Sequence, residues 1–121
     1  MSATRDAAVL AALSELESAL PGASAALLTR GGGVLAGKGP STSGRELYGA
    51  MAATMFGAAE AGTVEFDQEL IEVEARMKGG ALVALAAGRK LVLVVHLNGG
   101  PLTDGARGHL LECARKLAAL F

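Results

Sequence analysis

His109 and Cys113 stand four residues apart. That is one helical turn, the spacing at which an imidazole and a thiol can share a metal ion or form a thiolate pair. The only other histidine is His96, and there is no second cysteine. A third ligand is therefore lacking, and the pair reads as a buried structural thiol beside a surface imidazole. The acidic residues Glu65, Asp67, Glu69, Glu72 and Glu74 could hold calcium in another setting. They lack the loop glycine and ligand spacing of an EF-hand and read as a solvated connector and strand face. Gly31-Gly32-Gly33-Val34-Leu35-Ala36 matches a loose G-x-G-x-x-A. It joins two strands, so no helix N-terminus would meet a pyrophosphate. Gly37-Lys38-Gly39-Pro40-Ser41-Thr42 lacks the frame of a phosphate-binding loop. The sequence thus carries no paired catalytic groups; neither enzymatic activity, a cofactor nor a metal is expected.

Composition narrows the class further. A chain of 121 residues fits one domain over residues 1–121 with a real core. Its formal net charge is −1, its Lys and Arg side chains are dispersed, and Tyr48, Phe56, Phe66 and Phe121 are its only aromatics. Without a basic patch or a stacking platform, nucleic acid is excluded as a partner. The single cysteine allows no internal disulfide, and Met1 to Leu20 carries Asp6, Glu15 and Glu17 where a signal peptide would be apolar. A cytoplasmic protein without direct membrane insertion is expected.

The elements follow from periodicity. Val9, Leu13, Leu16 and Leu20 share one face of a helix from about Thr4 to Leu20, which Pro21-Gly22 ends. Ser24 to Thr29 and Val34 to Ala36 bracket a glycine turn and predict a hairpin. After a loop over Gly37 to Thr42, Ser43 and Glu46 have capping-box spacing and open a second helix that ends at Gly62. Glu69 to Met77 alternates Ile71, Val73, Ala75 and Met77 with Glu72, Glu74 and Arg76, which predicts an edge strand with one wet face. Strands over Ala81 to Ala87 and Leu91 to Leu97 complete a meander, and a last helix starts near Thr103. Leu91 to Leu97 is apolar on both faces and belongs in mid-sheet between helices.

The second helix is the informative one. No residue from Leu47 to Ala59 is charged, whereas a surface helix has one apolar stripe. Leu47, Met51, Met55 and Ala58 share one face; Gly49, Ala53, Phe56 and Gly57 share the other. The stretch is too short to span a membrane, which takes roughly 20 apolar residues, so protein must cover both faces. The larger Leu47, Met51 and Met55 side chains suit the intramolecular sheet, leaving Gly49, Ala53, Phe56 and Gly57 for a subunit interface. Close packing on the chain's own sheet is the other reading. Tyr48 and Phe56 lie at the margin of that interface.

These residues resemble a known family. The order of elements, Pro21-Gly22 before the first strand, the tight turn before Val34-Leu35-Ala36, and Met51-Ala52-Ala53-Thr54-Met55-Phe56-Gly57-Ala58-Ala59-Glu60 ahead of an alternating strand look like the Roadblock family of dynein light chains and their prokaryotic relatives. The resemblance covers nearly the whole chain. It implies an α+β fold: a five-stranded antiparallel sheet in order 2-1-5-4-3, flanked by helices on both faces, three helices in all. It also implies a dimer in which second helices pack together and third strands pair into one continuous ten-stranded sheet. Prokaryotic members are commonly non-catalytic regulators or scaffolds of small Ras-like GTPases. The expected partners are therefore a second copy and such a GTPase, with Arg45, Tyr48 and Ala52 as candidate partner contacts. The alternative is a small-molecule-sensing module, which predicts a concave apolar cavity.

A two-fold strand pairing permits few registers. Centring on Val73 opposes Glu72 to Glu74. Centring on Ala75 opposes Glu74 to Arg76 and Glu72 to Lys78; centring on Glu74 opposes Glu72 to Arg76. Opposite charges favour a centre at Glu74 or Ala75, which puts Glu72, Glu74 and Arg76 in the interface. The other reading of these charges is protection of a solvated edge.

Overall fold

A computed structural model describes residues 3–37 and 45–121, with the side chains of the second helix described from Tyr48 onward. Apolar periodicity builds α1 over Ala3–Ala19. It buries Val9, Ala12, Leu13 and Leu16. Gly22 breaks the chain at φ +86°, in the left-handed region that glycine enters at little cost. There follow β1 (Ala23–Thr29), β2 (Val34–Gly37), α2 (Arg45–Thr63), a 3-10 turn at Val64–Phe66, β3 (Glu72–Met77), β4 (Gly80–Ala87), β5 (Leu91–Asn98) and α3 (Asp104–Ala118). Thr103 caps α3, its side chain accepting from the Ala106 amide, as a hydroxyl at this position does for an orphan N–H.

The five strands form one antiparallel sheet in the order β2-β1-β5-β4-β3, as the family resemblance implies. β5 sits centrally between β1 and β4, and β3 lies at an edge. β5 is apolar on both sides because both faces of the sheet are covered. Leu91, Leu93, Val95 and Leu97 join α1 and α3 in the larger core, which also holds Leu27, Leu85, Leu110 and Leu117. Val92 and Val94 join Ala52 and Phe56 of α2 in the smaller core. Among the described residues, two helices thus cover one face and α2 covers the other.

Several boundaries differ from the sequence reading, most of them by one residue. β3 begins at Glu72 rather than Glu69, because the chain first makes the 3-10 turn and Asp67 adopts a left-handed φ of +51°. α1 stops at Ala19, one residue early, and α2 continues to Thr63, one residue past Gly62. The proposed cap at Ser43, the Lys38 loop and the side chains of Arg45, Glu46 and Leu47 lie outside the described residues.

Candidate interaction surface

The face that α2 turns to the sheet holds Gly49, Ala52, Ala53 and Phe56, with Met55 partly buried beside them, so the sequence expectation holds for Met55 and is reversed for Met51, Gly49 and Phe56. Ala52 and Phe56 are 0% and 1% exposed and pack on Ala26, Leu28, Ala84, Val92 and Val94. Gly49 is buried too, and a Cβ there would run into the Gly32 carbonyl oxygen, so the helix N-terminal half rests directly on the β1–β2 turn. Gly32 itself needs glycine, at φ +98°. The physical reason is depth: glycine and alanine let the helix axis approach, and Phe56 then fills the remaining space with one large side chain. Gly49 and Phe56, expected against a second copy, and Ala52, expected as a partner contact, are thus buried within the chain itself. Ala53 is 9% exposed, at the border of this face. Gly57 is exposed with open space where a Cβ would be.

Met51, expected against the sheet, is 59% exposed on the outward side of α2. Ala50, Thr54, Gly57 and Ala58 are exposed with it. Val64, Phe66 and Ile71 continue the apolar exposure past the helix end, with Phe66 72% exposed. Ile71 precedes β3 in the parity of Val73, Ala75 and Met77, and Val73 faces the α2 core. Met77, at the other end of the edge strand, is exposed as well. Isolated exposed apolar side chains need no explanation; a set running from one helix face onto a sheet edge marks an interaction surface. The sequence reading assigned Val64 and Phe66 to a polar connector, where Glu65, Asp67 and Glu69 masked the apolar members. Those three carboxylates are exposed.

Glu72, Glu74 and Arg76 occupy the opposite side of β3, toward α3. Arg107 donates from Nε to Glu72 at 2.8 Å and from a terminal nitrogen to Asp104 at 2.9 Å. The hydrogen bond to Glu72 raises the Arg107 pKa further above its ordinary range. Glu74 accepts from the Leu102 amide at 3.2 Å. Two of the three charges predicted to meet a second copy are thus engaged, Glu72 by α3 and Glu74 by the segment that leads into it, while Arg76 is exposed.

Arg30 was not singled out from the sequence, and no periodicity marks it. Its guanidinium donates to the Arg89 carbonyl (3.1 Å), the Gly88 carbonyl (3.2 Å) and both oxygens of Glu60 (3.1 and 2.9 Å). It also lies 4.9 Å from the Phe56 ring centre. One side chain therefore pins α2 to the end of β1 and to the β4–β5 turn. Arg30, Phe56, Glu69, Leu70 and Arg89 line part of a cavity of about 390 Å³ beside this staple. Tyr48 packs against the smaller core with its hydroxyl buried and unpartnered, and burial raises its pKa.

His109 and Cys113 behave as the spacing implied. Cys113 is buried and contacts the Ala12 carbonyl at 3.6 Å, while His109 is exposed. Burial pushes the thiol up to about 11. The charges around the pair are engaged, Lys116 with Glu15 and Arg115 with Glu112. Among the described residues no cluster of three His, Cys, Asp or Glu side chains is arranged to hold a metal, and no helix is long and apolar enough to cross a membrane.

Comparison with known proteins supplies a family and several structures of the same fold. A model of the Roadblock/LC7 domain matches residues 8–96. The gliding protein MglB from Thermus thermophilus superposes with a TM-score of 0.88 at 18% identity, covering 99% of this chain and 93% of that one. Myxococcus xanthus MglB gives 0.87 at 15% identity, covering 100% and 92%. A Roadblock/LC7 domain from Streptomyces avermitilis gives 0.69 at 21% identity, covering 90% and 88%. No curated protein matches the chain.

Proposed function

The chain belongs to the Roadblock/LC7 family, and from that premise we propose that it is a non-catalytic homodimeric regulator or scaffold that acts on a small Ras-like GTPase in the cytoplasm. The observation that carries the dimer is the apolar exposure of α2 and the adjoining sheet edge: Met51, Phe66, Ile71 and Met77 sit on or beside the helix that covers this sheet face among the described residues. Packing α2 against a second α2 covers Met51, Ala53 and Gly57, and pairing two β3 edges satisfies their free backbone groups. The pairing centres on Glu74 or Ala75, with Arg76 opposite a carboxylate. Self-association is supported by a neighbour of 22% identity described as MglB in a tetrameric arrangement. The GTPase is inherited from the family, whose prokaryotic members commonly serve such enzymes; Arg45 and Tyr48 at the start of α2 are the proposed partner contacts.

The test is titration of the purified protein into a small Ras-like GTPase from the same genome, loaded with GDP or with a non-hydrolysable GTP analogue. Saturable binding that depends on the nucleotide, with no hydrolysis by the chain alone, is the expected result. Absence of binding in both nucleotide states, with the dimer intact, would overturn the GTPase reading. The cavity beside Arg30 is the observation that favours a small-molecule-sensing module instead. Its Arg30 and Glu60 already satisfy each other, which leaves Glu69 and Arg89 as its other charged groups; a metabolite that co-purifies in stoichiometric amount would favour the sensing module.

A further inference from the structure

At the edge of the sheet away from β3, three exposed apolar side chains from separate parts of the chain line one concavity. Leu10 of α1, Leu35 of β2 and Phe121 are 54%, 38% and 45% exposed and surround a groove of about 350 Å³. Leu35 is there because of a bulge: Leu27 opposes Ala36 and Leu28 opposes Val34, so Leu35 is the extra residue and is turned to the α1 side. Bulges at sheet edges re-aim side chains in this way. Phe121 also lines a second cavity, of about 400 Å³, with Arg5, Arg89 and Lys90. Arg5 stacks on the Phe121 ring at 4.6 Å. Arg89 and Lys90 are exposed at the tip of the β4–β5 turn, and neither side chain has an ion-pair partner among the described residues. Asp6 is the one acidic side chain on the apolar groove, and no Asp or Glu side chain lines the basic cavity.

We propose that this surface docks an acidic amphipathic helix of another protein, its apolar side chains entering the Leu10–Leu35–Phe121 groove and its carboxylates meeting Arg89 and Lys90. The groove is concave and so receives inserted side chains, whereas a membrane surface is met by protruding ones. β2 has only four residues and a bulge, which makes it a poor template for an added strand. The charge decides the partner: cations flank the apolar groove, and opposite charge steers and orients the ligand. The apolar groove lies on the α1 side of the sheet at the edge opposite β3, while Arg89 and Lys90 stand at the β4–β5 turn, so the groove itself is separate from the proposed α2 and β3 contacts.

A displayed library of helical peptides, with apolar residues at i, i+3, i+4 and i+7 and the remaining charged positions varied between Lys and Glu, tests this directly. Selection on the full protein should enrich Glu-bearing peptides. Their affinity should fall about tenfold in Leu10→Gln and again in the double variant Arg89→Glu/Lys90→Glu, with the sedimentation behaviour of both variants unchanged. Failure to enrich, enrichment of Lys-bearing peptides, or equal affinity in the variants overturns the proposal. So does wild-type binding to phosphatidylglycerol-containing vesicles that is lost in the same variants while no peptide is enriched, which would assign the surface to membranes.

Discussion

Arg30 joins β1, α2 and the β4–β5 turn through one planar group, using geometry that a lysine does not have. Arg30→Ala should lower stability by about 1–3 kcal/mol, from the lost ring contact and the two carbonyls left without a donor. Arg30→Lys should restore less than half of that, both read from urea midpoints at one protein concentration. Cys113 gives a pH signature. Its thiol ionises near 9 when unfolded and about 11 when folded, so the unfolded state loses its proton first. The contribution is complete below pH 9 and is lost as pH rises toward 11. Tyr48, also raised by burial, acts in the same direction at still higher pH. The alkaline fall in the wild-type urea midpoint should be smaller in Cys113→Ala between pH 9 and 11. At this scale the sequence was legible for Cys113, whose helical position alone implied burial. It was silent on Arg30, whose partners lie 30 to 59 residues away.

α2 is where the sequence reading failed, and the failure is instructive. Periodicity shows two apolar faces, and of the bulkier row Met55 does pack on the core, but Met51 turns outward. Backbone approach won instead: Gly49 sits on Gly32, and Phe56 fills the depth that approach creates. The two glycines therefore have opposite roles, which substitution separates. Gly49→Ala should destabilise the fold by about 1–3 kcal/mol, because a clash with backbone outweighs a helix-propensity gain of about 1 kcal/mol. Gly57→Ala meets nothing within the chain and should gain up to about 1 kcal/mol, measured by thermal unfolding beside wild type. The meander, the central β5 and the edge position of β3 were readable from alternation and from double-sided apolarity. The engagement of Glu72 and Glu74 was not, because it depends on where α3 begins to cross the sheet.

For the whole molecule, the architecture was legible through the family resemblance, while the surface that would join two copies had to be redrawn. Gly49 and Phe56 leave it; Met51, Phe66, Ile71 and Met77 enter. Arg76 is exposed on β3, as Glu74 is, and Arg76→Glu should weaken dimerisation by several-fold, in line with a cross-strand pair of about 0.2–1 kcal/mol. Glu72→Lys in the same chain should recover part of it, less whatever the loss of the Arg107 pair costs the fold. The central claim is that the outward face of α2 is a subunit interface, and sedimentation equilibrium of wild type beside Met51→Glu at low micromolar concentration tests it most directly. Met51 is mostly exposed in the isolated chain, so the substitution should leave the circular dichroism spectrum and fold intact. The account predicts a wild-type dimer and a folded, monomeric Met51→Glu; a wild-type monomer, or a variant that remains a dimer with unchanged affinity, would contradict it.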